Sequence, residues 1–145
     1  MQDYPHNYTV TATASASANV SLGSPGLESL ESAPPAEFGG PGDLWSPETL
    51  LAAAVADCFV LSFRAIARAS KLEWNSLSCD VDAVLDKVDG VTRFTEMNER
   101  VVLEVPDGTS EVKATKLLEK AEQVCLITNS LTATTSLDID VRVAG

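Results

Sequence analysis

The sequence has one histidine, His6, and no lysine or arginine before Arg64. With His6 alone near the N-terminus and no GxSxG elbow anywhere, Ser-His and Cys-His nucleophile arrangements lack their base. Basic residues are scarce throughout, with ten Lys and Arg against 21 Asp and Glu, and the resulting net charge of −11 repels nucleic-acid phosphates and anionic lipid surfaces. Neither nucleic acid nor membrane is an expected partner. Aromatic residues make up 6% of the chain and are not interleaved with basic ones, so no platform for stacking bases is visible. The three cysteines, Cys58, Cys79 and Cys125, form no CxxC and are odd in number, which excludes a zinc knuckle or a disulfide framework. Gly39-Gly40-Pro41-Gly42 lacks the GxGxxG order of a dinucleotide site and reads as a structural loop. The first residues carry neither the basic start nor the apolar run of a signal peptide, so a cytoplasmic location with reduced thiols is expected. The longest apolar stretch, Leu50 to Phe63, contains Asp57 and precedes Arg64 and Arg68. It falls short of the ~20 residues of a membrane span and reads as a core helix.

What is present fits one folded domain over residues 1–145, with 45% apolar residues. From Tyr8 to Leu22 apolar or alanine residues alternate with Thr, Ser and Asn, the period of a strand with one buried face. Gly23-Ser24-Pro25-Gly26 then signals a turn, with Leu27 to Glu31 pairing back. Ser46-Pro47-Glu48 is a helix start with Ser as cap and an acid at the positive dipole end. That helix should run to about Ser70, apolar nearly all round in its first half. Leu77 to Leu85 alternate as a strand closed by an Asp89-Gly90 hairpin turn, and the return strand spans Val91 to Val105 with a bulge expected near Asn98. Ser110 caps a second helix. Its stripe Ala114, Leu117, Leu118, Ala121 and Cys125 faces inward, with Lys113, Lys116, Glu119, Lys120 and Glu122 on the wet side. A last strand alternates from Ala133 to Val143. Helices gathered on one face of an antiparallel sheet make the fold α+β.

The remaining chemistry is sulfur. The acids Asp80, Asp82, Asp86, Asp138 and Asp140 fall on the polar phase of strands and read as solvated charge. Cys79 alternates with Leu77 and Val81 and reads as packing. Cys58 lies inside the central helix and Cys125 on the inward face of the second. Two helices packed in one small core can bring such residues within the ~4.4–6.8 Å Cα separation of a disulfide.

Ser46-Pro47-Glu48-Thr49-Leu50-Leu51, Ala56-Asp57-Cys58-Phe59 and Ala121-Glu122-Gln123-Val124-Cys125 resemble the OsmC/Ohr family. The resemblance extends to the N-terminal hairpin, the glycine loop and the order of elements. It implies a buried central helix, an intertwined homodimer with two interfacial active sites, and a thiol-dependent peroxidase acting on organic hydroperoxides without metal or cofactor. Carried over by position, Cys58 is the peroxidatic thiol, Cys125 the resolving thiol and Glu48 the glutamate that orients the site. The implied reductant is an external dithiol such as a dihydrolipoyl group. The family also has an N-terminal arginine that pairs with this glutamate. Here no counterpart exists, and Arg64, Arg68, Arg93 and Arg100 are the available replacements. A dimer with weakened peroxidase activity, serving as a small-molecule binder or thiol redox sensor, is the alternative reading.

Overall fold

A computed structural model describes residues 1–144 of the chain. The chain divides into two compact units, Met1–Leu50 and the remainder from Leu51.

In the first unit three short strands, β1 (Thr11–Thr13), β2 (Val20–Gly23) and β3 (Leu30–Ser32), form an antiparallel sheet in that order. The alternating segment from Tyr8 to Leu22 is therefore not one strand. It doubles back between β1 and β2, pairing Ala12 with Leu22. Its apolar phase is not buried either: β1 is exposed along its length, as are Tyr8 and Val10. Alternation of Ala, Ser and Thr specifies extended backbone but supplies too little apolar bulk to hold one long strand against a core. After β3 a single 3₁₀ turn (Ala36–Phe38) leads into the glycine loop. A side chain at Gly40 would run into the Pro34 carbonyl, so the loop requires glycine there for close backbone approach.

Helix α1 (Pro47–Ala69) starts where the cap signal places it. Ser46 Oγ accepts from the Thr49 amide at 3.1 Å, and the Ser46 amide donates to Thr49 Oγ1 at 2.8 Å, a reciprocal cap that satisfies two otherwise orphaned donors. At 23 residues, with a mean hydropathy of 1.9 in its most apolar window, α1 is long and apolar enough to cross a membrane by length and composition alone. The shorter apolar run read from sequence understated it.

In the second unit β4 (Ser76–Val88) and β5 (Val91–Val105) form a long antiparallel hairpin, closed by Asp89 (φ 52°) and Gly90 (φ 79°) in the left-handed region. The bulge falls at Thr95, between the pairs Val84–Glu96 and Leu85–Phe94, rather than near Asn98. Thr95 is the extra residue that shifts the alternation of β5. Strand β6 (Thr134–Val143) joins the other edge of β5 in parallel, reached through α2 (Glu111–Val124) and the short α3 (Leu126–Asn129). Ser110 caps α2 by accepting from the Lys113 amide at 3.2 Å.

Phe59, Phe63 and Ala67 of α1, Ala114, Leu118 and Ala121 of α2, and Val101, Leu103 and Val105 of β5 form one core. The two helices thus cover one face of the sheet, and the α+β class stands. Lys113 Nζ donates to the Ser70 carbonyl at 2.9 Å, fastening α2 to the end of α1 and placing a cation at its negative dipole end. Only Val55, Phe59, Phe63 and Ala67 of α1 are fully buried, one face at i, i+4 spacing. Leu51 to Ala54, Ala56 and Val60 remain half-buried, and Leu61 is 49% exposed.

Candidate active site

The packing that forms the core also sets the sulfurs. Cys58 sits at the middle of α1 one residue before the core residue Phe59, so its side chain lies at the margin of the buried face and is half-buried. Its Sγ is 3.9 Å from Ser62 Oγ, one turn along. Cys125 ends α2 and begins α3, and is completely buried. Its amide donates to the Glu122 carbonyl at 3.3 Å, and its carbonyl accepts from the Asn129 amide at 3.0 Å and the Thr128 hydroxyl at 3.2 Å. The backbone around this thiol is pinned on both sides.

Burial pushes the Cys125 thiol up from its ordinary value, and the polar groups of the neighbouring Thr128 partly offset that rise. The neighbouring Cys58 raises it further, and Leu126 and Ile127, which follow Cys125 in the chain, line the same pocket as Cys58. Both are free cysteines. A pocket of about 420 Å³ opens on Cys58, walled by Ala54, Leu61, Leu126 and Ile127, with Ser62 and Asp57 as its other polar residues. The half-buried Cys58 lines this pocket, and the buried Cys125 immediately precedes its lining residues Leu126 and Ile127.

Cys79, on the inward face of β4, is pushed up to about 12, first by burial and then by Glu99, Asp80 and Cys125. It is held as a thiol. Glu99 was not singled out in the sequence. It projects from β5 on the same face as Met97 and Val101, is 2% exposed, and neither carboxyl oxygen finds a hydrogen-bond partner among the described residues. Burial, then repulsion from Glu122, raises it to about 7. The signal that could have found it is the phase of Met97, Val101, Leu103 and Val105, which includes position 99. Glu122, read as solvent-facing, is half-buried and accepts from Thr135 Oγ1 at 2.7 Å. The last turn of α2 packs onto β6 and draws this residue in from the wet face.

Glu48 lies in the first turn of α1, with a buried carboxyl oxygen, Oε2, that has no partner among the described residues. Ten residues of helix separate it from Cys58, about 15 Å of rise. One helix cannot bring the two together. Of the four arginines offered as replacement cations, Arg100 pairs with Asp138 at 3.6 Å on the sheet face away from the helices, and Arg64, Arg68 and Arg93 are exposed. None of them lines the Cys58 pocket. No group of three or more His, Cys, Asp or Glu among the described residues is placed to hold a metal ion.

The family model for OsmC-like protein matches residues 40–140, which include both thiols and Glu48. The chain belongs to the OsmC-like family. It is 29% identical over 112 residues to the uncharacterized protein YmaD of Bacillus subtilis, spanning 75% of each chain. Among solved structures it resembles an OsmC-like protein of unknown function from Vibrio cholerae, with a TM-score of 0.84 at 19% identity over 93% of this chain and 99% of the other. It also resembles an organic hydroperoxide resistance protein from Elizabethkingia anophelis, with a TM-score of 0.78 at 22% identity over 99% of this chain and 100% of the other. Identities this low establish the shared OsmC-like fold and leave the chemistry to the site itself.

Proposed function

We propose that this OsmC-like protein is a thiol peroxidase that reduces organic hydroperoxides. The observation that supports the reading is the asymmetry of the thiol pair: Cys58 lines an apolar-walled pocket, while Cys125 is completely buried immediately before Leu126 and Ile127, which line that same pocket. The Cys58 thiolate attacks the distal oxygen of ROOH and the O–O bond breaks. Cys58 becomes a sulfenic acid, and the alkoxide leaves and takes a proton as ROH. The Cys125 thiol then attacks the Cys58 sulfur. A Cys58–Cys125 disulfide forms, and the expelled hydroxide leaves as water with the proton given up by Cys125. An external dithiol, of the dihydrolipoyl type, takes the disulfide back to two thiols by exchange and is itself oxidised. A buried resolving thiol suits this order, because it meets the sulfenic acid without meeting free peroxide.

The working form in this reading is a homodimer. One chain leaves Leu61 49% exposed, Leu126 65% exposed and the small apolar residues Leu51 to Ala54 half-buried, a surface suited to a second copy. Since Glu48 lies about 15 Å along α1 from the Cys58 of its own chain, a glutamate at the thiol would be contributed by the partner subunit. The missing N-terminal arginine favours a second reading, a thiol redox sensor or small-molecule binder of the same fold with slow peroxide turnover. Purified protein treated with one equivalent of cumene hydroperoxide separates the readings. The peroxidase forms the Cys58–Cys125 disulfide within seconds, seen by mass spectrometry, and cycles with added dithiol. Oxidation that stops after one slow event supports the sensor, and no oxidation of Cys58 refutes both redox readings.

A further inference from the structure

Residues four apart share one face of a helix, and each Cα–Cβ bond tilts toward the N-terminus, so Ser62 leans onto Cys58 one turn before it. Its Oγ lies 3.9 Å from Cys58 Sγ. Ser130, by contrast, bonds back to the Leu126 carbonyl four residues earlier, the usual habit of a helical serine, whereas Ser62 turns its hydroxyl to the sulfur. Both partners belong to α1 and are half-buried in a single chain, so the contact stands whether or not a second copy covers the pocket. Of the side chains this chain contributes to the lining, Ser62 alone, apart from the thiol, is a hydrogen-bond donor. We propose that the Ser62 hydroxyl is a catalytic group that holds Cys58 in its thiolate form by donating a hydrogen bond to Sγ, the task that the missing N-terminal arginine leaves open. Its part in peroxide reduction rests on the peroxidase reading, but the hydrogen bond itself does not.

While Cys58 is a thiol, either group can donate to the other. Once the proton leaves, sulfur can only accept, and the Ser62 hydroxyl is the donor. A hydrogen bond to an ionised acceptor is shorter and stronger than one between neutral groups, so the pair favours the thiolate. The titratable groups nearby give the charge no such support. Asp57 adjoins Cys58 on α1, the buried Cys125 precedes the lining residues of α3, and a glutamate supplied by a second copy would add a further negative charge. A thiolate held in this way is more abundant but less nucleophilic, because nucleophilicity falls with thiol pKa at a Brønsted slope of ~0.4–0.5. Removing the hydroxyl therefore acts in opposite directions at the two ends of the pH range.

The test follows alkylation of Cys58 by iodoacetamide in reduced full-length protein, read by mass spectrometry across a pH series, for the wild type, Ser62→Ala and Ser62→Thr. Alanine suits a helix at least as well as serine, so the first variant keeps the fold. Ser62→Ala should move the midpoint of the rate–pH curve up by about one pH unit, a tenfold change in ionisation or about 1.4 kcal/mol. Well below the midpoint its rate should fall about threefold, and on the alkaline plateau it should rise about two- to threefold. Ser62→Thr keeps the hydroxyl and should keep the wild-type curve. Oxidation of Cys58 by cumene hydroperoxide should show the same shift. A Ser62→Ala curve with the wild-type midpoint, including one scaled down by a single factor at every pH, overturns the proposal. A shifted alkylation midpoint in protein that cumene hydroperoxide leaves unoxidised sustains the hydrogen bond and refutes the peroxidase.

Discussion

Glu99 offers the sharpest energetic test. It stands among Met97, Val101 and Leu103 on the face of β5 covered by the helices, 2% exposed, with both carboxyl oxygens unpartnered among the described residues. Burial and the repulsion of Glu122 move it from 4.5 to about 7. The folded protein therefore holds a proton on Glu99 at pH values where the unfolded chain has released it. For an acid raised in this way, stability is greatest at low pH, falls as pH climbs from 4.5, and the loss is complete above about 7. At about 1.4 kcal/mol per pH unit, the full loss is at most about 3–4 kcal/mol.

Glu99→Gln removes the titration and keeps the shape. Between pH 5.5 and 8, above the sequence pI of 4.3, the variant should gain about 2 kcal/mol relative to the wild type. For a chain of this size that is roughly 5–10 °C in melting temperature. Near pH 5 the wild-type carboxyl is mostly protonated and the two proteins should differ by ~1 kcal/mol or less from this cause. The assay is urea unfolding and thermal melting of both proteins across the pH series. A stability difference that stays constant with pH would refute the reasoning, because it would mean that Glu99 has the same proton affinity folded and unfolded.

Cys79→Ser should leave hydroperoxide turnover within about twofold of wild type, since a thiol held up at about 12 supplies almost no thiolate at neutral pH, whereas Cys58→Ser should abolish turnover; equal losses would refute the assignment. Gly40→Ala should cost about 1–3 kcal/mol in urea unfolding, because the added methyl meets the rigid Pro34 carbonyl, and a neutral result would show that the loop has room to shift. Leu61→Glu should convert a dimer to a monomer by light scattering at micromolar concentration, given the 49% exposure of Leu61 on a single chain; a wild type that is itself monomeric would refute the dimer.

The parts legible in the sequence were those with a physical marker at each end. Helix α1 has its Ser46 cap and α2 its Ser110 cap, and the β4–β5 hairpin has Asp89-Gly90, whose left-handed backbone few other dipeptides adopt cheaply. The N-terminal segment carries no such marker between β1 and β2, so its turn was invisible. The bulge at Thr95 was legible as a change of phase but misplaced by three residues, because alternation shows that one residue is extra without showing which. Glu99 was hidden by its type. The alternation of β5 puts position 99 inside, and the ordinary expectation that an acid faces water outweighed it. Helical spacing placed Cys125 on an inward face and Cys58 only somewhere inside the apolar central helix, but whether residues 67 apart in sequence share a site depends on how α2 packs against α1. That placement is fixed by the packing of Phe59 and Phe63 with Leu118 and Ala121 in one core, and by Lys113 reaching the Ser70 carbonyl. The same fold leaves Cys58 half-buried and Cys125 completely buried, so in the proposed reaction the division of labour between the thiols would follow from burial rather than from any difference in the residues themselves.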